Sequence, residues 1–272
     1  MSKQTLSLET LAFFGATGGT GRATLHTLLS DPRYYSLPLQ IFVRSKRKLL
    51  SLFPELESRS GVQIWEGQLD DVHGIKECLS GADVIICTLG ENQNLPGLDV
   101  LQRGATSILH ALGELKEKQG ANWFKPRLLF LSSSTWNTRL SAHMPALMLR
   151  IIKTAFYYPY FDLRQATRMF QESPDLVSLL LVQPPAIVED APSGYQISTE
   201  TSNPVVSYAD LGAAFLELAT ERSYDTLDAV GVSSLQEGAL RKWGSELFSR
   251  IVIGLIAGSM PGYWSLKKLW AE

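Results

Sequence analysis

The sequence predicts an α/β fold: a doubly wound parallel sheet with helices on both faces and a small C-terminal appendage. Three observations carry that expectation. Short apolar runs alternate with helix-spaced segments along the first 185 residues. The first run opens directly into a glycine-rich turn and a helix. Several runs, such as Leu39-Gln40-Ile41-Phe42-Val43, are nearly all apolar, as strands buried on both faces require.

Leu11-Ala12-Phe13-Phe14 reads as the first strand. The helix after it covers 20–29, with Leu25, Leu28 and Leu29 on one side and Asp31-Pro32 as the stop. The second strand, 39–43, leads into a short helix over 46–53 that Pro54 closes. A third strand at 62–65, a helix at 72–79 and a fourth strand at 83–88 follow. Residues 98–118 form a long helix with Leu101, Ala105, Ile108, Leu109 and Leu112 at core spacing. The fifth strand is 127–132. A helical region comes next, with breaks expected near Pro145 and Pro159, then a sixth strand at 176–183 ending at Pro184-Pro185.

Beyond that point the pattern changes. Ser193-Gly194-Tyr195 and Ser202-Asn203-Pro204 are turn-rich. A helix over 209–220 is capped from Ser207, a strand is expected at 227–232, and one or two helices over 240–256. Residues 1–185 are therefore expected to form a nucleotide-binding core. Residues 186–272 form an appendage over the sheet's C-terminal edge, within one compact unit and with a soft boundary.

Composition removes several functions. The 272 residues carry 25 Lys+Arg and 27 Asp+Glu, a formal net charge of -2, which argues against a nucleic-acid or anionic-membrane footprint. Four scattered histidines and two cysteines have no metal-ligand spacing, so no metal site is expected. Cys78 and Cys87 are too few for a disulfide scaffold and point to a reducing compartment. Residues 1–10 are polar, and 11–14 is too short for a signal-peptide core. The apolar stretch 251–257 is too short to span a bilayer. The expectation is a cytoplasmic protein.

The strongest chemical signal is Gly15-Ala16-Thr17-Gly18-Gly19-Thr20-Gly21-Arg22, set between a strand and a helix. Gly15 permits the tight turn, Gly18 lets backbone approach a diphosphate, and Gly21 lets the helix pack on the strand. The helix N-terminus offers N–H groups and positive dipole to the phosphates. A glycine-rich turn without a ligand is the plainer alternative, and the strand–turn–helix context argues against it. An NAD binder places an acidic residue after the second strand, yet residues 32–54 contain none. They contain Arg44, Ser45 and Lys46, groups that suit a 2′-phosphate. NADP(H) is expected ahead of NAD(H), with Arg22 assisting.

The sequence here resembles the short-chain dehydrogenase/reductase superfamily in its atypical, NmrA-like branch. The glycine loop carries the likeness, with Gly67-Gln68-Leu69-Asp70 and Thr88-Leu89-Gly90. The resemblance implies that Leu69 and Asp70 flank the adenine, that Thr88, Leu89 and Gly90 pass under the ribose, and that Pro184 and Pro185 face the nicotinamide. Phe42 to Leu50, Phe53-Pro54 and Ser207-Tyr208-Ala209-Asp210-Leu211-Gly212 are similar to the averufin oxidase-like proteins of fungal polyketide pathways. That likeness implies NAD(P)-dependent tailoring of polycyclic aromatic polyketides. The wider resemblance to the superfamily implies a Ser after the fifth strand and a Tyr-x-x-x-Lys pair on the next helix.

Ser132-Ser133-Ser134 supplies the first element, with Ser133 or Ser134 as carbonyl polariser and turn capping as an equal alternative. Tyr160-Phe161-Asp162-Leu163-Arg164 has the second spacing, with Arg in place of Lys. Arg164 can support a tyrosinate by charge but cannot shuttle a proton. Tyr157 and Tyr158 are rivals, and the whole Tyr-rich segment with Trp136 also reads as the wall of an aromatic pocket. Met144, Leu147, Met148 and Ile151 are candidates for a greasy lining or plain core.

The leading reading is an NADP(H)-dependent oxidoreductase acting on a small aromatic substrate. The alternatives are a non-redox isomerase, dehydratase or cyclase on the same scaffold, and a dinucleotide-sensing partner of another protein. A homodimer through helices 98–118 and 139–169 stays open at this stage.

Overall fold

A computed structural model describes residues 10–236, 238–260, 262–264 and 267. The expectation about a leader in residues 1–10 falls almost wholly outside them.

The first half alternates as the sequence predicts: β1 (Leu11–Phe14), α1 (Gly19–Ser30), β2 (Leu39–Val43), α2 (Lys46–Leu52), β3 (Val62–Glu66), α3 (Val72–Leu79), β4 (Val84–Cys87), α4 (Val100–Gln119) and β5 (Arg127–Leu131). Then come α5 (Ala146–Ala155), α6 (Tyr157–Gln171), β6 (Ser178–Gln183), β7 (Ala186–Val188), β8 (Tyr195–Ser198), β9 (Val205–Ser207), α7 (Tyr208–Thr220), β10 (Ala229–Ser234) and α8 (Ala239–Ser259).

The main sheet runs β3-β2-β1-β4-β5-β6-β10-β8, parallel except for β8 against β10. β1 lies between β2 and β4, so the strand order reverses there. A crevice opens at such a switch point beyond the strands' carboxyl ends.

The period of two along each strand builds two cores. Leu11, Phe13, Ile41, Ile86, Leu129 and Val182 point to one face, where Leu25 and Leu28 of α1 and Leu211 and Phe215 of α7 cover them. Ala12, Phe14, Ile85, Leu128 and Phe130 point to the other, under Ile75 of α3, Ile108 and Leu112 of α4, and Phe170 of α6. Each such buried Leu or Phe stabilises the fold by about 1.5–3 kcal/mol.

Several expectations needed correcting. Of the breaks expected near Pro145 and Pro159, the first comes at Pro145, ahead of α5, and the second at Phe156, a few residues before Pro159. Pro159 sits in the first turn of α6, where a missing N–H costs no intrahelical bond. The turn-rich stretch after 185 holds three short strands, β7 to β9, too brief for a periodic signal. Residues 240–256 lie in one helix, α8. After Pro185 the chain supplies β8 and β10 to the main sheet and packs α7 on α1. Among the described residues only the β7–β9 pair forms a separate sheet, and α8 packs against α5.

Candidate active site

The glycine turn is built by close backbone approach. Gly15 has φ +88°, and a Cβ there would lie 2.6 Å from the Thr88 carbonyl carbon. A Cβ on Gly21 would run into the Gly15 carbonyl. Gly18 is the extended N-cap of α1, with no side chain capping the helix and no acidic residue in its first turn. The first-turn N–H groups therefore point out of the turn without an intrahelical acceptor. These features fit a dinucleotide diphosphate, which needs bare backbone and uncovered donors at one point.

The ends of β1, β2 and β4 bring the other cofactor candidates to the same edge. Thr17 is half-buried and Thr20 buried in the turn. Thr88 donates from Oγ1 to the Phe14 carbonyl at 3.2 Å, fixing β4 to β1 just beneath Leu89 and Gly90. Ser107 of α4 donates to the Leu69 carbonyl at 2.5 Å, and Asp70 lies 3.9 Å from Arg103. Ser45 caps α2 by accepting from the Lys48 N–H. Arg22, Arg44 and Lys46 are exposed and enter no ion pair among the described residues.

The second half of the site opens beyond β5. Ser133 starts a short turn, and the buried Ser134 donates its N–H to the Pro184 carbonyl at 2.9 Å, so the β5 and β6 ends are tied together. Gln183, one residue earlier, accepts from Asn137 at 2.8 Å. The Tyr160 hydroxyl meets Thr135 Oγ1 at 3.1 Å and Ser133 Oγ at 3.5 Å. The Trp136 ring stands edge-on to Tyr160, with centroids 5.7 Å apart. Arg164 makes no hydrogen bond to Tyr160; its guanidinium lies over Trp136 at 4.6 Å, as does the Lys153 ammonium at 4.3 Å.

Of these residues, Trp136, Lys153, Tyr160 and Arg164 line a cleft of about 650 Å³ between α5, α6 and α8. That size suits a small aromatic molecule. Tyr157, Tyr158 and Phe161 of the predicted aromatic wall face it, but the greasy stripe does not. Ala146, Leu149, Arg150 and Lys153 line the cleft from α5, while Leu147 and Met148 turn to the exposed side of that helix. At about 100° per residue the two stripes lie roughly 160° apart, on nearly opposite faces of the helix.

Four residues passed over in the sequence hold the site together. Thr135 gives Tyr160 its shorter contact. Asp162, 1% exposed, accepts from the Leu101 and Gln102 N–H groups and so caps α4 from α6. Asn94, 2% exposed, accepts from the Tyr158 N–H at the start of α6 and donates to the Gly254 carbonyl of α8. Tyr208 lays its ring over Gly19, where a Cβ would lie 2.5 Å from Tyr208 Cε1. The family-like segment beginning at Ser207 thus acquires a physical sense. Ser207 caps α7. Buried Asp210 accepts from Ser193, Gly194 and Ser234. Gly212 lets α7 touch the α1 backbone. Only the spacing of polar and small residues around Ser207 hinted at this.

Elsewhere, buried ionisable groups are structural. Burial pushes the Cys87 thiol up to about 12, and the Cys78 thiol also upward, so neither offers a thiolate. Burial, and then hydrogen bonding to Glu217, pushes the Tyr195 and Tyr224 phenols above their ordinary range. Among the described residues no helix is long and apolar enough to cross a membrane, and no group of three metal-type ligands gathers.

Residues 15–222 match the profile of the family described as NAD(P)H-binding, well over half the chain. The chain belongs to the NAD(P)H-binding family. Members similar to it include averufin oxidase A of Aspergillus flavus, 35% identical over 247 residues covering 87% of this chain and 86% of that one. The oxidoreductase AgnL4 of Paecilomyces divaricatus is 32% identical over 254 residues, covering 93% and 95%. A wide-type short-chain dehydrogenase/reductase from Veillonella parvula, solved with NADP, shares the fold: TM-score 0.63, 15% identity, 85% of this chain and 96% of that one. Within the NAD(P)H-binding family the chain is related to fungal oxidoreductases, averufin oxidase A among them, and it shares the fold of a short-chain dehydrogenase/reductase.

Proposed function

We propose that the protein is an NADP(H)-dependent reductase that tailors a polycyclic aromatic polyketide in fungal secondary metabolism. The observation that carries this reading is Tyr160: its hydroxyl touches the serine turn at the end of β5, and its ring lines the aromatic cleft. The relatives named oxidoreductases, averufin oxidase among them, support the substrate class. Arg44 and Lys46, unpaired among the described residues and beside Ser45, support the phosphorylated adenosine.

Bound NADPH supplies a hydride to an electron-poor carbonyl or quinone-type ring. The chain's own residues do the rest. The glycine turn fixes the diphosphate, and the tied ends of β5 and β6 fix the floor at Pro184 and Pro185. Tyr160 donates its phenolic proton to the developing substrate oxyanion. Thr135 and Ser133 then turn their hydroxyls to donate to the Tyr160 oxygen left behind. The cleft walls hold the ring flat against that proton donor.

A second reading, non-redox isomerisation or dehydration, is favoured by one observation: Arg164 stacks on Trp136 and gives Tyr160 no hydrogen bond. The test is anaerobic incubation with NADPH and hydroxylated anthraquinones, following absorbance of the reduced nicotinamide. Substrate-dependent loss is expected. Product formed with no loss of NADPH selects the second reading, and no product with any quinone removes the first.

A further inference from the structure

The cleft carries an unbalanced charge. Arg150, Lys153 and Arg164 line it, and no Asp or Glu does so among the described residues. None of the three cations enters an ion pair among those residues. The acid nearest in sequence to Tyr160, Asp162, is turned away and spends both oxygens on the start of α4. Lys153 and Arg164 are held over the Trp136 ring at 4.3 and 4.6 Å. A ring orders a cation without neutralising it, so both charges stay available and repel one another. Beside them, Tyr157 and Phe161 stack at 6.3 Å with ring planes 24° apart, and they are 55% and 46% exposed. Large aromatics left open beside uncompensated cations are a poor arrangement for an empty surface and a good one for a ligand.

We propose that this cleft selects an anionic aromatic ligand: a planar ring system bearing an ionised oxygen substituent such as a carboxylate. The ring lies along Tyr157 and Phe161, and the anion sits between Lys153, Arg164 and Arg150. The inference rests on the reading of the cleft as the substrate half of the site and adds the charge its ligand must carry. It gives the Trp136 cluster a positioning role, with cations set before the ligand arrives.

Calorimetry with anthraquinone-2-carboxylate and its uncharged carboxamide tests this on the full-length protein, with NADPH titrated separately. The carboxylate is expected to bind roughly tenfold more tightly than the carboxamide. Raising ionic strength from about 0.05 to 0.5 M is expected to erase most of that difference. Lys153→Met is expected to weaken the carboxylate about fivefold while leaving the carboxamide and NADPH unchanged. Should that variant not fold, Arg150→Met, at an exposed position, carries the same expectation. Equal binding of the two probes, or absence of binding by both, overturns the inference and leaves the NADPH reading standing if NADPH still binds. Carboxylate preference without any NADPH heat does the reverse.

Discussion

The glycine turn and the aromatic cleft, the two halves of the proposed site, are made by opposite means. The turn is one run of eight residues, from Gly15 to Arg22, and its working groups are backbone. The cleft is assembled from Trp136 after β5, Lys153 on α5, Tyr160 and Arg164 on α6, and Leu255 on α8, and its working groups are side chains. A site made of backbone constrains neighbouring residues to be small, which leaves a local mark in the sequence. A site made of side chains from distant elements leaves a composition at each position and no spacing among them.

Removing the hydroxyl proposed as the proton donor gives the largest effect. Tyr160→Phe keeps the ring against Trp136 and is expected to lower turnover roughly 10²- to 10⁴-fold, with NADPH affinity unchanged. Steady-state rates with calorimetry check this; a rate within twofold of the parent takes Tyr160 out of the chemistry.

Next comes a change confined to the turn's side. Arg44→Ala is expected to weaken NADPH binding about tenfold and leave NADH binding as it was, the loss of one charge-assisted phosphate contact. Parallel titrations of both coenzymes decide it, and an equal loss for both would move the adenosine phosphate elsewhere.

The smallest effect sharpens the contrast. Asp162→Ala uncaps α4 and is expected to cost about 1–2 kcal/mol in denaturant unfolding. It is also expected to raise the KM for the aromatic substrate more than that for NADPH, because α6 carries the cleft wall. Unchanged stability would mean that water or another side chain caps α4 equally well.

The same contrast explains how much was legible. The order from β1 to β6 followed from alternating apolar runs, and Gly15, Gly18 and Gly21 from their spacing. Ser207 as the cap of α7 was readable too, because capping is decided within three residues. The breaker at Pro159 was misread because a proline's effect depends on where its helix starts, and that start is set by Asn94, over sixty residues away in the chain. Asp162 looked like filler within Tyr160-x-x-x-Arg164, since its partners lie on α4. The stripe Met144, Leu147, Met148 and Ile151 satisfied helical spacing, but nothing local distinguishes it from the face at 146, 149, 150 and 153 until α8 is in place. β7 to β9 span three or four residues each, below any periodic signal.

The bare contact at Gly212 bears on the order in which the molecule is made. The turn at Gly15 leaves the ribosome well ahead of α7, which rests on α1 through Gly212, sets Tyr208 over Gly19 and is translated almost two hundred residues later. A growing polypeptide cannot give the glycine turn its final cover until α7 has emerged. The turn and the helix that covers it are therefore partners made far apart in time, joined only when α7 docks on α1.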